Sequence, residues 1–311
     1  MSTALVTGAG GFVARHIAPA LRRAGFATVA GADVRPPTPA LFDASYVADL
    51  TRRSDTLGVI ANTSPALIVH LAGSSNGSER DVWRSNVETS RQLIDCVREA
   101  APHARVVLVG SAAEYGDVPR AQQPVEESFV GRPRGVYGTA KAAVSAVATK
   151  AAADGTSVVV ARPFNIIGAG VPSTLVVGAL VERIRETMAS RPPHRVRVGT
   201  TSSIRDFVAV EDVVDGLIRA GQRGTPGQAY NLCTGVGHSV AEVLDMLIAL
   251  SGERIEVERD PALIRDAEVS VLTGSWEKAK RELDWTPKIA LNDCVRDTWS
   301  LSASTLAAAN S

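Results

Sequence analysis

Cysteine is scarce in this chain: three in 311 residues, Cys96, Cys233 and Cys294, odd in number and far apart. That excludes a disulfide framework and any recognisable metal-ligand spacing, and no metal site is expected; three buried or inert thiols are the default reading. Long apolar runs are missing too. Nothing approaches about 20 uninterrupted apolar residues, so no membrane span is expected. The first residues, Met1 to Gly8, enter a strand without the basic n-region of a signal peptide, and a cytoplasmic protein is expected. Net charge is absent, since 33 basic residues balance 33 acidic ones. A nucleic-acid binder would show a basic patch, so no nucleic-acid partner is expected. Lysine is the rarest charged residue, five against 28 arginines. That skew reflects coding bias more readily than function, yet it makes each lysine informative. With 45% hydrophobic and 21% charged residues, the composition is that of a globular protein with one large domain or two unequal ones.

What is present begins with glycine. Thr3 to Thr7 is a short buried run, Thr7-Gly-Ala-Gly-Gly-Phe12 a turn, and Phe12 to Ala24 an amphipathic helix with Val13, Ile17, Ala20 and Leu21 on one face. A second strand over 28–33 ends in Asp33. The pattern is G-x-x-G-x-x-A, with Gly8 and Gly11 where the backbone must approach a pyrophosphate lying on the helix N-terminus. Ala14 stands in the third position, and Phe12 and Val13 open the helix. Asp33 suits the two hydroxyls of an unphosphorylated ribose, which points to NAD; Arg35 two residues on leaves NADP open.

Apolar β-branched runs then recur, at 46–49, 66–72, 105–111 and 157–162, with helices between them at about 81–100 and 137–153. Unbroken runs of this kind predict a doubly wound α/β fold, a Rossmann-type parallel sheet covered on both faces. Ligands of such sheets bind beyond the carboxyl ends of the strands. Those ends carry Gly8, Asp33, Gly73, Ser111 and Arg162-Pro-Phe-Asn165. The helix over 140–148 is apolar almost all round and requires a partner on its second side.

One of the five lysines, Lys141, follows Tyr137 by four residues. That spacing puts both on one helix face, about 5–6 Å apart at Cβ. A phenol titrates near 10; a neighbouring cation lowers that by about 1–3 pH units, towards the range useful for proton transfer. The plain alternative is a solvated surface pair. What precedes it in the chain gives it weight: a dinucleotide turn, then a serine closing a strand at 111.

The order of motifs resembles the extended short-chain dehydrogenase/reductase family, the NAD(P)-dependent epimerases, dehydratases and reductases of nucleotide sugars. Thr7-Gly-Ala-Gly-Gly-Phe12, His70-Leu-Ala-Gly73, Gly110-Ser-Ala-Ala-Glu-Tyr-Gly116, Tyr137-Gly-Thr-Ala-Lys141, Arg162-Pro-Phe-Asn165 and Arg205-Asp-Phe207 carry the likeness over essentially the whole chain. It implies that Tyr137 moves a proton to or from a sugar oxygen, that Ser111 hydrogen-bonds the same oxygen, and that Lys141 holds the ribose hydroxyls. It implies a cofactor site of Gly8, Gly11, Phe12, Val13, Asp33, Arg35, Asp49, Leu50, Leu71, Ala72, Gly73 and Pro163 together with Tyr137 and Lys141. Asn165, Arg205 and Arg265 resemble contacts to a substrate diphosphate, against plain readings as a turn-capping Asn and surface arginines. His70 and Asn86 read as structural. The same likeness implies residues 1–165 plus about 205–232 as the NAD(P)-binding domain, and about 166–204 plus 233–311 as a smaller mixed α/β lid for a nucleotide-diphosphate sugar. A homodimer through the helices near 81–100 and 137–153 is implied as well.

Departures from the family narrow the reaction. Alanines at 112 and 113 stand where the family's dehydratases carry acids. Glu114, one place later, is expected to point away if the segment is strand-like. Loss of water is therefore not expected. Gly135-Val136 replaces the usual Ser-Pro before the tyrosine. The details resemble reductases of 4-keto-6-deoxy nucleotide sugars most; an epimerase that retains NAD is the rival reading, and a non-catalytic dinucleotide sensor a remote one.

Overall fold

A computed structural model of the protein describes residues 2–264 and 269–300. The first half alternates strand and helix: β1 (Thr3–Thr7), α1 (Phe12–Arg23), β2 (Thr28–Asp33), β3 (Ala44–Val47), α2 (Arg53–Thr63), β4 (Leu67–His70), α3 (Glu79–Trp83), α4 (Thr89–Ala100), β5 (Arg105–Val109), α5 (Gly135–Ala153) and β6 (Val158–Pro163). The remainder holds β7 (Asn165–Ile167), α6 (Val176–Met188), β8 (His194–Val198), β9 (Ile204–Ala209), α7 (Val210–Arg223), β10 (Ala229–Leu232), β11 (Gly237–Ser239), α8 (Val240–Ser251), β12 (Ile255–Arg259), β13 (Val271–Leu272), α9 (Glu277–Leu283) and α10 (Leu291–Ser300).

Seven strands form one parallel sheet in the order β10-β6-β5-β4-β1-β2-β3. Side chains alternate across a strand, so each run feeds two cores. Ala4, Val6, Val69, Val107 and Val159 meet Ala14, Ile17 and Leu21 of α1 and Val213 and Leu217 of α7. Leu5, Ile68, Val106 and Val158 meet α2, α4 and α5 through Val59, Leu93, Ile94, Ala140 and Val144. Burial on both faces is why the strands carry no polar alternation, and it produces the expected doubly wound sheet. The strand order reverses between β1 and β4, which opens a crevice at the carboxyl ends there.

The helix expected from 81 to 100 differs in detail. Ser78 caps α3 in a capping box with Asp81, and a π-turn over residues 84–88 separates α3 from α4. Such turns widen the helix by one residue and recur at functional sites; here the turn carries Asn86 beside Gly73. Helix α5 begins two residues earlier than expected, at Gly135.

A second, smaller layer is mixed. β9 pairs with β7 and β13 in parallel and with β11 antiparallel, and β8 pairs with β12. Ile167, Leu180, Ile184, Val196, Phe207, Leu247 and Val295 form its core. Ser239 and Glu242 make a capping box at the start of α8. β9 thus belongs to this small layer although α7, directly after it, packs on the large sheet. The chain accordingly returns to the large layer at Val210 rather than at 205. Arg265 lies outside the described residues. Among the described residues no helix is long and apolar enough to cross a membrane, and Cys96, Cys233 and Cys294 are buried and free.

Candidate active site

The turn after β1 runs through Gly8 at φ 70°. A Cβ there would lie 2.7 Å from the Ala72 nitrogen and 2.8 Å from the Leu71 carbonyl carbon. Only glycine lets this turn press against the segment after β4. Gly10 and Gly11 are exposed, Phe12 and Val13 half-buried, and Ala14 fully buried where α1 crosses β1. Gly11 caps α1 without a side chain, and no acid stands in the first turn. The free N–H groups and positive end of the helix dipole are left for an anion. Asp33 faces the same turn: its Oδ2 accepts the Gly10 N–H at 3.0 Å and its Oδ1 the Arg35 N–H at 3.2 Å. A glycine cradle, an uncapped helix and a carboxylate at the adjoining strand end fit a pyrophosphate and a ribose. Arg35 itself is exposed.

Around the crevice, Leu50 is buried and Leu71 and Ala72 are half-buried. Asp49 turns its Oδ1 to the N–H and hydroxyl of Thr51 at 2.9 and 2.7 Å. Burial alone would raise the Asp49 pKa, but these bonds and Arg84 and Arg52 bring it below the ordinary carboxylate range. Gly73 is exposed, and a Cβ on it would lie 2.5 Å from Asn86 Oδ1 and 3.6 Å from Lys141 Nζ. Pro163 is buried at the end of β6.

Ser111, Tyr137 and Lys141 gather where β5 ends. Lys141 is buried; its Nζ donates to the Val109 carbonyl at 2.8 Å and lies 5.7 Å from the centre of the Tyr137 ring. Burial pushes the Lys141 ammonium down to about 8, against the pull of Glu114. The Tyr137 phenol is raised, not lowered as the four-residue spacing predicted. Burial raises it, a hydrogen bond from Ser111 opposes this, and the Glu114 carboxylate raises it further. The spacing fixes a shared helix face, but the ammonium turns to the Val109 carbonyl and the phenol is desolvated although the residue is half-buried. Desolvation then outweighs the Ser111 hydrogen bond, which favours the phenolate.

The segment after Ser111 is a 3₁₀ turn over Ala112–Glu114, not a strand. Ser111 caps it, its Oγ accepting the Ala113 N–H at 3.1 Å. Glu114 is buried and turned back beneath β5, where its Oε2 meets Arg162 Nε at 2.9 Å. The expected pointing away therefore has a different cause: a tight turn and a buried ion pair. Gly138, given no role of its own in the sequence reading, and Asn86, read there as structural, complete the arrangement. Gly138 allows α5 to approach this turn, because a Cβ there would lie 2.7 Å from the Ala113 carbonyl oxygen. Asn86, buried in the π-turn, donates Nδ2 to the Ser74 and Val82 carbonyls, both at 2.8 Å, and leaves Oδ1 without a partner beside Gly73. The glycine immediately after Tyr137 was the available signal for the first; nothing in the sequence marks a π-turn.

Asn165 and Arg205 stand on neighbouring strands, with Asn165 level with Phe207. Asn165 Nδ2 donates to the Asp206 carbonyl at 3.2 Å, and Arg205 Nη1 to the Ile204 carbonyl at 3.0 Å. Between them Asp206 is fully buried and accepts from the N–H groups of Thr234, Gly235 and Gly274. This ties β9 to two loops of the small layer. The structure thus brings Asn165 and Arg205 together at the join of the two layers.

A strand–glycine turn–helix unit, an acid at the next strand end and a Tyr-Lys pair beside a serine define a class of dinucleotide-dependent protein. The family model described as the NAD dependent epimerase/dehydratase family matches residues 4–233. The chain belongs to that family, and it is an NAD(P)-dependent enzyme. It is 28% identical over 298 residues to GDP-6-deoxy-D-mannose reductase of Pseudomonas aeruginosa, covering 94% of each chain. It is 28% identical over 254 residues to a UDP-glucose 4-epimerase of Corynebacterium glutamicum, covering 75% of this chain and 73% of that one. Among solved structures, RMD from Pseudomonas aeruginosa complexed with NADPH superposes with a TM-score of 0.82 at 25% identity, over 96% of this chain and 98% of the other.

Proposed function

We propose that the protein reduces the 4-keto group of a 4-keto-6-deoxy nucleotide-diphosphate sugar. The observation that carries this reading is the Ser111–Tyr137–Lys141 cluster, at the sheet edge that holds the glycine cradle, with only alanines at 112 and 113. It is further supported by the near-complete overlap with the GDP-6-deoxy-D-mannose reductase. When bound, the nicotinamide supplies or accepts the hydride. Tyr137, held protonated at neutral pH by burial, donates its proton to the sugar oxygen as charge develops there. Ser111 Oγ accepts from the Ala113 N–H, and its one proton, which bonds the Tyr137 oxygen, turns to that same sugar oxygen when substrate is bound. Lys141 holds the ribose hydroxyls with its ammonium. In this reading Gly8, Gly11, Phe12, Val13, Asp49, Leu50, Leu71, Ala72, Gly73 and Pro163 line the dinucleotide, and Asn165 and Arg205 take the substrate diphosphate. The small layer built around β9 serves as the substrate lid over the dinucleotide domain.

A panel of GDP-mannose, UDP-glucose, UDP-glucuronate and 4-keto-6-deoxy nucleotide sugars, followed by mass spectrometry, tests the proposal. Reduction of the keto sugar is expected; a product lighter by one water would overturn the argument from Ala112 and Ala113.

One observation favours the epimerase reading. Asp33 is an NAD-type acid, and an epimerase retains its NAD. The carboxylate repels a 2′-phosphate at close range, so NAD(H) should bind stripped protein more tightly than NADP(H) in calorimetry. Asp33→Asn should narrow or reverse that preference. Tighter NADPH binding by the wild type would give the role to Arg35 instead.

Arg205 supplies a guanidinium fork for phosphate oxygens. Arg205→Ala should weaken nucleotide-sugar binding by about 1.5–3 kcal/mol with dinucleotide affinity unchanged. An equal loss for both ligands would count against this assignment.

The reading also places the protein in the cytoplasm as a homodimer. Its support is the second side of α5, where Ala146 is exposed and Ala142, Ala143 and Val147 are half-exposed. An isologous contact with α3–α4 of a second copy would cover that face.

A further inference from the structure

Glu114 has no part in the chemistry above, yet it is buried at the centre of it. Its Oε1 accepts the backbone N–H of Ser111 at 2.9 Å. Its Oε2 accepts the Ser145 hydroxyl at 2.6 Å and Arg162 Nε at 2.9 Å. Ser145 follows Tyr137 and Lys141 at successive spacings of four, so all three share one stripe of α5. Gly110 makes room for the arrangement, since a Cβ there would lie 2.3 Å from Glu114 Oε1. Arg162 is held in turn: its Nη1 donates to the Tyr115 hydroxyl at 3.1 Å, and its guanidinium lies 5.2 Å from the centre of that ring. The Tyr115 hydroxyl donates to Asn231 Oδ1 at 2.6 Å.

A buried ion pair is weak evidence for stability, because desolvating both charges consumes what their attraction gains. Its use here lies in what it fixes. We propose that Glu114, anchored by Arg162, is a positioning residue for the reaction: one carboxylate oxygen sets Ser111 and the other sets the α5 face that carries Tyr137 and Lys141. The inference rests on the nucleotide-sugar reading for its effect on turnover, but the geometry it describes does not.

The same carboxylate acts on the neighbouring titrations. The groups around it are Arg162 from β6, Tyr137 and Lys141 from α5 and Tyr115 from its own turn, with the Glu127 carbonyl behind Arg162. Its charge raises both the Tyr137 phenol and the Lys141 ammonium. Removing the charge should move both to lower pH. A role confined to folding would lower stability and leave the turnover of the folded enzyme unchanged.

The test uses Glu114→Gln, with Glu114→Gln/Arg162→Met as the variant that leaves no unpaired buried charge. Each is compared with wild type in three measurements: dinucleotide affinity, turnover at saturating substrate, and the near-ultraviolet phenolate titration of Tyr137, identified by subtracting the Tyr137→Phe trace. We expect affinity within about twofold and turnover lower by about ten- to a hundredfold, the scale of a small misplacement. The phenolate should form at lower pH in Glu114→Gln. Ser145→Ala, which removes a single hydroxyl, should lower turnover severalfold with an unchanged melting temperature. Folded variants with wild-type turnover and an unmoved titration would overturn the proposal. A wild type inactive on every nucleotide sugar would defeat the proposed reaction instead, and the titration, which needs no substrate, would still test the action of Glu114 on Tyr137.

Discussion

Tyr137→Phe should lower turnover by about 10²–10⁴-fold, the usual contribution of a positioned general acid, with dinucleotide affinity within about twofold. The ring stays in place in this variant. Only the hydroxyl leaves, and the proposed reaction calls on that hydroxyl when the sugar oxygen gains charge. An interaction made only in the transition state lowers kcat and kcat/KM together and leaves ground-state binding alone. Steady-state kinetics with a separate binding titration distinguishes this from a packing defect, which would weaken dinucleotide affinity as well. Wild-type turnover in the variant would remove Tyr137 from the reaction.

Lys141→Met should abolish most turnover and make the protein more stable at neutral pH. The ammonium is buried and its pKa falls from 10.5 to about 8. A cation whose folded-state value is depressed disfavours folding while it is charged in both states. At pH 7 that penalty is present in full, on the order of 3 kcal/mol. The lost hydrogen bond to the Val109 carbonyl gives back about 1 kcal/mol, so a net gain of about 1–3 kcal/mol is expected. Between about 8 and 10.5 the unfolded chain binds more protons than the folded one, so wild-type stability should climb with pH across that window. The variant should show no such climb. Denaturant unfolding at pH 7 and at pH 10 measures both effects. A less stable variant at pH 7 would mean that the Lys141 hydrogen bond outweighs the cost of burying its charge.

Much of the large layer was legible because burial on both faces leaves a simple mark. The runs at 3–7, 66–72, 105–111 and 157–162 contain almost nothing but apolar and β-branched residues. The glycine turn was legible for a related reason, since Gly8 sits where a Cβ would strike the backbone of the segment after β4. What the sequence hid was direction. Tyr137 and Lys141 share a helix face as their spacing demands, but spacing does not say that the ammonium faces the Val109 carbonyl and the phenol leaves water. For Glu114 the direction came out as expected but from another cause: Ala-Ala-Glu carries no signal between a strand and a 3₁₀ turn, and the turn and the Arg162 ion pair set it. The π-turn at 84–88 escapes periodicity because it adds one residue to a helix whose pattern otherwise continues. β9 joins the small layer through its pairing with β7, β11 and β13, a long-range choice that its local sequence does not contain.

The central claim is that a hydride passes between the dinucleotide and a sugar carbon while Tyr137 supplies the proton. Its most direct measurement is isotope transfer. Wild-type protein is incubated with a 4-keto-6-deoxy GDP-sugar and with NADH or NADPH carrying deuterium at the transferable position of the nicotinamide. The account predicts a product with one deuterium bonded to the sugar carbon that was the ketone, and loss of this transfer in Tyr137→Phe. A reduced sugar without deuterium at that carbon, or undiminished transfer in Tyr137→Phe, would contradict it.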